Sequence, residues 1–136
     1  MVPEAASPDD PAEWLRRARS SLERARADAR LPGVYLEDLC FDAQQAAERA
    51  IKGVFVARNE TFPYVHDLAS LLTRLERSGL AIPEGVREAG RLTRFAVETR
   101  YPGTAEPVER DEYDRAVSIA ELVVGWAAEQ VDAAKR

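Results

Sequence analysis

Phe41-Asp42-Ala43-Gln44-Gln45-Ala46-Ala47-Glu48-Arg49-Ala50-Ile51-Lys52 is the middle of the longest helical pattern in the chain. Read outward, the pattern predicts a helix from about Val34 to Arg58. Leu36, Cys40, Ala43, Ala47, Ala50, Val54 and Ala57 recur at steps of three and four and form one apolar seam, which Leu39, Ala46 and Ile51 widen. So many alanines let a neighbouring helix approach closely. Gln45, Glu48 and Lys52 lie on another face, where Glu48 and Lys52 make a favourable i,i+4 pair. Gly53 lowers helix propensity and marks a place of tight packing. This is the pattern of a central bundle helix.

Four further helices are expected around it. Asp10-Pro11-Ala12-Glu13 signals a start, with Asp10 as N-cap, Pro11 at the first helical position and Glu13 completing a capping box. That helix is expected to run to about Arg30, with Leu15, Ala18, Leu22, Ala25 and Ala29 facing inward. Pro63 keeps the preceding residue out of helix, so 59–64 reads as a loop and a short third helix begins near His66-Asp67. Its stripe is Leu68, Leu71, Leu72 and Leu75, and it stops at Ser78-Gly79, where glycine can turn left-handed. Pro83-Glu84 opens a fourth helix expected to reach about Thr99, with Ala89, Leu92, Phe95, Ala96 and Thr99 facing inward. A fifth is expected from about Asp111 to Ala133, burying Ala116, Ile119, Ala120, Val123, Trp126, Ala127 and Val131. The expected fold is all-α: an antiparallel four-helix bundle with one additional short helix, in a single domain over residues 10–136 behind a flexible tail at 1–9.

Composition agrees with a globular helical domain. The chain has 136 residues, 46% of them hydrophobic, and alanine, leucine, arginine and glutamate dominate. No run approaches the ~20 apolar residues of a membrane span, and the first residues lack the features of a signal peptide. A cytoplasmic protein is expected. Cys40 is the one cysteine, which excludes an internal disulfide and a zinc site of the usual kind. Its place in the apolar seam reads as core. The formal net charge of −5 counts against unspecific phosphate binding by the chain as a whole. The arginines of the first helix are interspersed with acids, whereas Arg87, Arg91 and Arg94 form a purer basic stripe.

Four segments together resemble the HEPN family (higher eukaryote and prokaryote nucleotide-binding domains). The 41–50 stretch is similar to that family's second-helix signature. Trp14-Leu15-Arg16-Arg17-Ala18, His66-Asp67-Leu68 and Arg100-Tyr101-Pro102 follow at its other landmarks. The resemblance implies a helical bundle, commonly a homodimer. It also implies a nucleotidyltransferase partner in a pair of the toxin–antitoxin kind, possible nucleotide or RNA binding, and no metal or cofactor. Many members are metal-independent ribonucleases whose motif sets an arginine four to six residues before a histidine. Here seven residues separate Arg58 from His66, the only histidine. Asp42 stands where close relatives often carry histidine, Ser21 where they carry aspartate, and Val65 where they carry threonine.

Two sets of candidate residues follow. His66, with Arg58 or Arg100, is the candidate acid/base and phosphate-stabilising set for a ribonuclease. The competing role for His66 and Asp67 is to organise a helix start, either one supplying the cap that Val65 cannot. Gln44, Gln45, Glu48, Lys52 and Tyr101 are the candidate ligand-binding set. In one reading they line a cleft, with Lys52 as a point charge for an anion. In the other, the residues of the central helix satisfy one another's hydrogen bonds, while Arg100 and Tyr101 tie down their loop.

Overall fold

A computed structural model of the chain describes residues 7–27, 32–96 and 107–135. These residues hold helices α1 (Pro11–Arg26), α2 (Leu36–Ala57), α3 (Leu68–Arg77), α4 (Glu84–Arg87) and α5 (Arg110–Ala134), and no strand. A 3-10 helix, Glu88–Ala96, continues α4. The fold is the expected all-α bundle. Its hub is α2, which packs against α1, α3, α5 and the 3-10 segment.

The hub position follows from the alanine seam. Cys40, Ala43, Ala46, Ala47, Ala50, Ile51 and Val54 are wholly inaccessible to solvent. At Gly53 α1 passes close to α2: a Cβ there would lie 3.0 Å from Trp14 Cβ. Burial raises the Cys40 thiol to a pKa of about 12, so this cysteine is a core residue and not a nucleophile. The α3 stripe Leu68, Leu71, Leu72 and Leu75 is fully buried. Beyond the expected α5 face, Tyr113 and Val124 are buried too. The Tyr113 hydroxyl donates to the Ala25 carbonyl at 2.5 Å and ties α5 to the end of α1.

Several local expectations are corrected. Asp10 caps α1 by accepting from the Ala12 amide at 3.0 Å, but no capping box closes on Glu13. The Asp10 amide already donates to the Ser7 carbonyl, and the Glu13 carboxylate instead receives Arg16 and Arg17. The α1 helix ends at Arg26; its expected continuation to Arg30 includes residues outside the described ones. The tail expected at 1–9 is described only from Ser7, and there Pro8 O accepts the Trp14 indole N–H at 2.8 Å. The fourth helix departs from the expected α-helical run to Thr99, a residue outside the described ones. Only one turn is α, and a nine-residue 3-10 helix follows. The reason is visible in the pattern. Val86, Ala89, Leu92 and Phe95 are buried at strict intervals of three, and three residues per turn is the 3-10 repeat that puts them in one row.

Candidate functional site

The middle of α2 and the loop to α3 hold the unusual chemistry. Gln44, Glu48 and Lys52 follow one another at i,i+4 and are all buried. Glu48 accepts from Gln44 Nε2 at 2.7 Å, from Lys52 Nζ at 2.9 Å and from His66 Nδ1 at 2.9 Å. Gln45 Nε2 donates in turn to Gln44 Oε1 at 2.8 Å. Burial alone would raise the Glu48 pKa. The hydrogen bonds from His66, Lys52 and Gln44 and the Lys52 charge outweigh it, and the carboxyl lies below its ordinary value. A buried charge is tolerable when it is paired and hydrogen-bonded in this way. The Lys52 ammonium also sits 5.2 Å from the Phe62 ring centroid.

The 58–67 loop is fastened at both ends. At the α2 end, Asn59 takes a left-handed backbone (φ 57), as asparagine can, and the Glu60 amide returns to Phe55 O. Arg58 Nε donates to Glu60 Oε2 at 2.6 Å, and its terminal nitrogen reaches Ser78 O at 3.2 Å. In mid-loop, Phe62 meets Trp14, Phe55 and Tyr64 edge-on at centroid distances of 5.5, 6.0 and 6.2 Å. At the far end, Asp67 caps α3 by accepting from the Ala69 and Ser70 amides. Thr93 Oγ1 takes the Leu68 amide from across the bundle. Of the two candidates for the cap, Asp67 supplies it, and His66 turns back to Glu48.

Gln44, Gln45, Glu48, Lys52 and His66 are therefore one network. Arg58 is directed elsewhere, toward Glu60 and Ser78. Arg100 and Tyr101 lie outside the described residues. Because an ionised Glu48 can only accept, His66 Nδ1 carries the shared proton. In the neutral ring, Nε2 is left as the acceptor. The His66 side chain is 63% exposed, against 10% for Lys52 and 7% for Glu48. The network thus shows solvent an imidazole edge and keeps its ion pair inside. Among the described residues no group of three or more His, Cys, Asp or Glu could hold a metal ion.

The basic stripe is neutralised. Arg87 pairs with Glu76, Arg91 with Glu88 and Arg94 with Glu112. On α1, Arg16 and Arg17 share Glu13, Arg24 meets Asp42, and Arg26 meets Glu23 and Glu121. Two features escaped the sequence reading. Phe62 is the aromatic hub, although nothing in its loop distinguishes it from a surface residue. Ser21 is fully buried and accepts from Arg49 at 2.7 Å across α1 and α2. Its place in the α1 pattern, one residue before Leu22, and the aspartate that HEPN relatives carry there were the signals that could have found it.

The HEPN domain profile matches residues 11–131 of the chain. The crystal structure of TT1696 from Thermus thermophilus is 32% identical and superposes with a TM-score of 0.78, covering 90% of this chain and 98% of that one. ST0689, described as an archaeal HEPN homologue, is 26% identical with a TM-score of 0.70, covering 89% and 97%. No curated protein matches. A profile match over most of the chain and a bundle shared with these two structures lead to one conclusion: the chain belongs to the HEPN domain family.

Proposed function

We propose that this HEPN protein is a non-cleaving helical partner module. It would serve a nucleotidyltransferase in a pair of the toxin–antitoxin kind, with nucleotide or RNA as its ligand. One observation carries the reading: the imidazole of His66 is held by a carboxylate, Glu48, while Arg58 is committed to Glu60 and Ser78. Phosphodiester cleavage by a histidine and an arginine needs both groups directed at one phosphate. Here the nearer arginine serves the loop. The rest of the network is satisfied internally, as in a structural core. Assembly as a homodimer in the cytoplasm belongs to the same proposal; Leu122 on α5, 51% exposed, supplies apolar surface for a second copy.

The test is co-expression with a nucleotidyltransferase from the same genome, followed by co-purification, sedimentation and an RNA cleavage assay without metal. A stable complex and uncut RNA are expected. Cleavage by the purified chain that His66→Ala abolishes would overturn the proposal. It would favour the second reading, a metal-independent ribonuclease with His66 as acid/base. One observation supports that alternative: Glu48 holds Nδ1 and leaves Nε2 as the acceptor of a largely exposed ring, as a general base requires.

A further inference from the structure

We propose that the groove between the 58–67 loop and the outer face of α3 is a phosphate-binding site for a nucleotide ligand, with Arg74 and Arg77 as its cationic contacts. The assignment rests on the reading of the chain as a binding module, and it gives that module a surface distinct from the Glu48 network. The groove is open and has a volume of about 930 Å³, in the size range of ligand sites. It is floored by the face of α3 that points away from the core. The leucine stripe takes one side of this helix, which leaves Ser70, Thr73, Arg74 and Arg77 on the other.

The arginines of the expected basic stripe all meet carboxylates, as do Arg16, Arg17, Arg24 and Arg26 on α1. Four exposed arginines meet no carboxylate among the described residues: Arg19 and Arg115 line separate clefts, while Arg74 and Arg77 fall together in this groove. The nearby acids are taken. Glu60, the one acidic lining residue, is paired with Arg58; Glu76 is drawn to Arg87; Asp67 caps α3. The groove therefore keeps two uncompensated positive charges in a protein of formal net charge −5. A concave wall concentrates their field. Helical i,i+3 spacing sets their Cβ atoms about 5–6 Å apart, so both forks can reach one di- or triphosphate or neighbouring phosphates of a strand. Thr73 adds a hydroxyl of the kind that accompanies arginine at phosphates, whereas the Ser70 and Ser78 hydroxyls already donate to Asp67 and to Leu75 O. Val65 and Pro63 form an apolar opposite wall on which a sugar or base can rest.

The phosphates can come from a free nucleoside triphosphate or from an RNA strand, and binding measurements separate the two. The full chain is titrated with ATP, with a fluorescent oligouridylate and with tripolyphosphate as a competitor, at low and at raised salt. At least one nucleotide probe is expected to bind, to be displaced by tripolyphosphate and to weaken as salt rises. Oligouridylate binding alone assigns the site to RNA, and ATP binding alone to free nucleotide. Arg74→Ala and Arg77→Ala should each weaken binding roughly tenfold, as the loss of one charge-assisted contact does. The double variant Arg87→Ala/Arg91→Ala, which removes twice the charge of either single variant but from paired positions, should change it less than about twofold. Arg74→Gln and Arg77→Gln repeat the test should an alanine variant fold poorly. Absence of binding to both nucleotide probes would overturn the proposal. So would variants at 74 and 77 that lose stability yet bind as the parent does, since the arginines would then serve only the α3 dipole. RNA that binds and is cut would instead defeat the non-cleaving reading and leave the groove standing.

Discussion

Replacing Glu48 by glutamine puts the largest demand on the structure for the smallest change of shape. Glu48 accepts three hydrogen bonds, one of them from an ammonium that is itself buried. Glutamine keeps one acceptor oxygen and turns the other into a donor, which must then face Lys52, His66 or Gln44. One charge-assisted hydrogen bond contributes about 1.5–3 kcal/mol, and breaking a buried pair from one side costs about 3–5 kcal/mol. Lys52 retains its contact with the Phe62 ring, about 0.5–1 kcal/mol, which brings the expected loss to about 3 kcal/mol. Urea unfolding followed by far-ultraviolet circular dichroism at neutral pH measures it, as a lower midpoint at unchanged slope. A loss below about 1 kcal/mol, the figure for a surface pair, would refute the account of Glu48 as a buried junction. Acid supplies an independent check. The carboxyl titrates below its ordinary value in the folded chain, so on acidification the unfolded chain takes up this proton first. The stabilisation is complete above the unfolded pKa and is lost as pH falls through the folded one. The gap between parent and Glu48→Gln should therefore narrow below the ordinary carboxylate pKa of about 4.3. A gap that stays constant or widens there would contradict the assigned proton linkage.

Other perturbations test the frame. Tyr113→Phe removes the hydroxyl that Ala25 O accepts inside the bundle and should cost about 1–2 kcal/mol in the same unfolding experiment. Asp67→Ala removes the α3 cap; about 1 kcal/mol is expected, with hydrogen exchange accelerating first at the Ala69 and Ser70 amides. Two glycine substitutions should have opposite signs. At Gly125, in the middle of α5, a new Cβ meets nothing within 4 Å, and alanine should stabilise by roughly 0.5–1 kcal/mol. At Gly53 the new methyl lies 3.0 Å from Trp14 Cβ. An overpacking cost of about 1–3 kcal/mol should outweigh the same gain in propensity, and the melting temperature should fall.

What was legible from the residues, and what was not, divides along sequence distance. The α2 seam, the α3 leucine stripe, Gly53 as a close approach and the Glu48–Lys52 pair are all set within one or two helical turns. Local spacing therefore reveals them. The contact of His66 with Glu48 joins residues 18 apart through a loop whose path depends on Phe62 docking among Trp14, Phe55 and Tyr64. No periodicity encodes that. The basic stripe misled for the same reason. Glu76 and Glu112, which neutralise Arg87 and Arg94, sit on α3 and α5 and adjoin the stripe only after folding. The 3-10 winding was readable in principle from Val86, Ala89, Leu92 and Phe95, but the Pro83-Glu84 start and the apolar face behind it read together as an ordinary α-helix. As for the candidate site, the polar face of α2 could be located by pattern. That its charges face each other rather than solvent depends on the loop above them.

The buried thiol of Cys40 has a practical consequence. It is the only cysteine, it has no accessible surface, and its pKa of about 12 leaves almost no thiolate at neutral pH. It lies on the central helix, so exposing it requires the bundle to come apart there. An alkylating reagent therefore keeps time on the opening of the native molecule, with no label to engineer. At high reagent concentration the modification rate is the rate of opening itself; at low concentration it follows the opening equilibrium. The same single atom can thus report whether a bound nucleotide or a partner chain holds the helices closed.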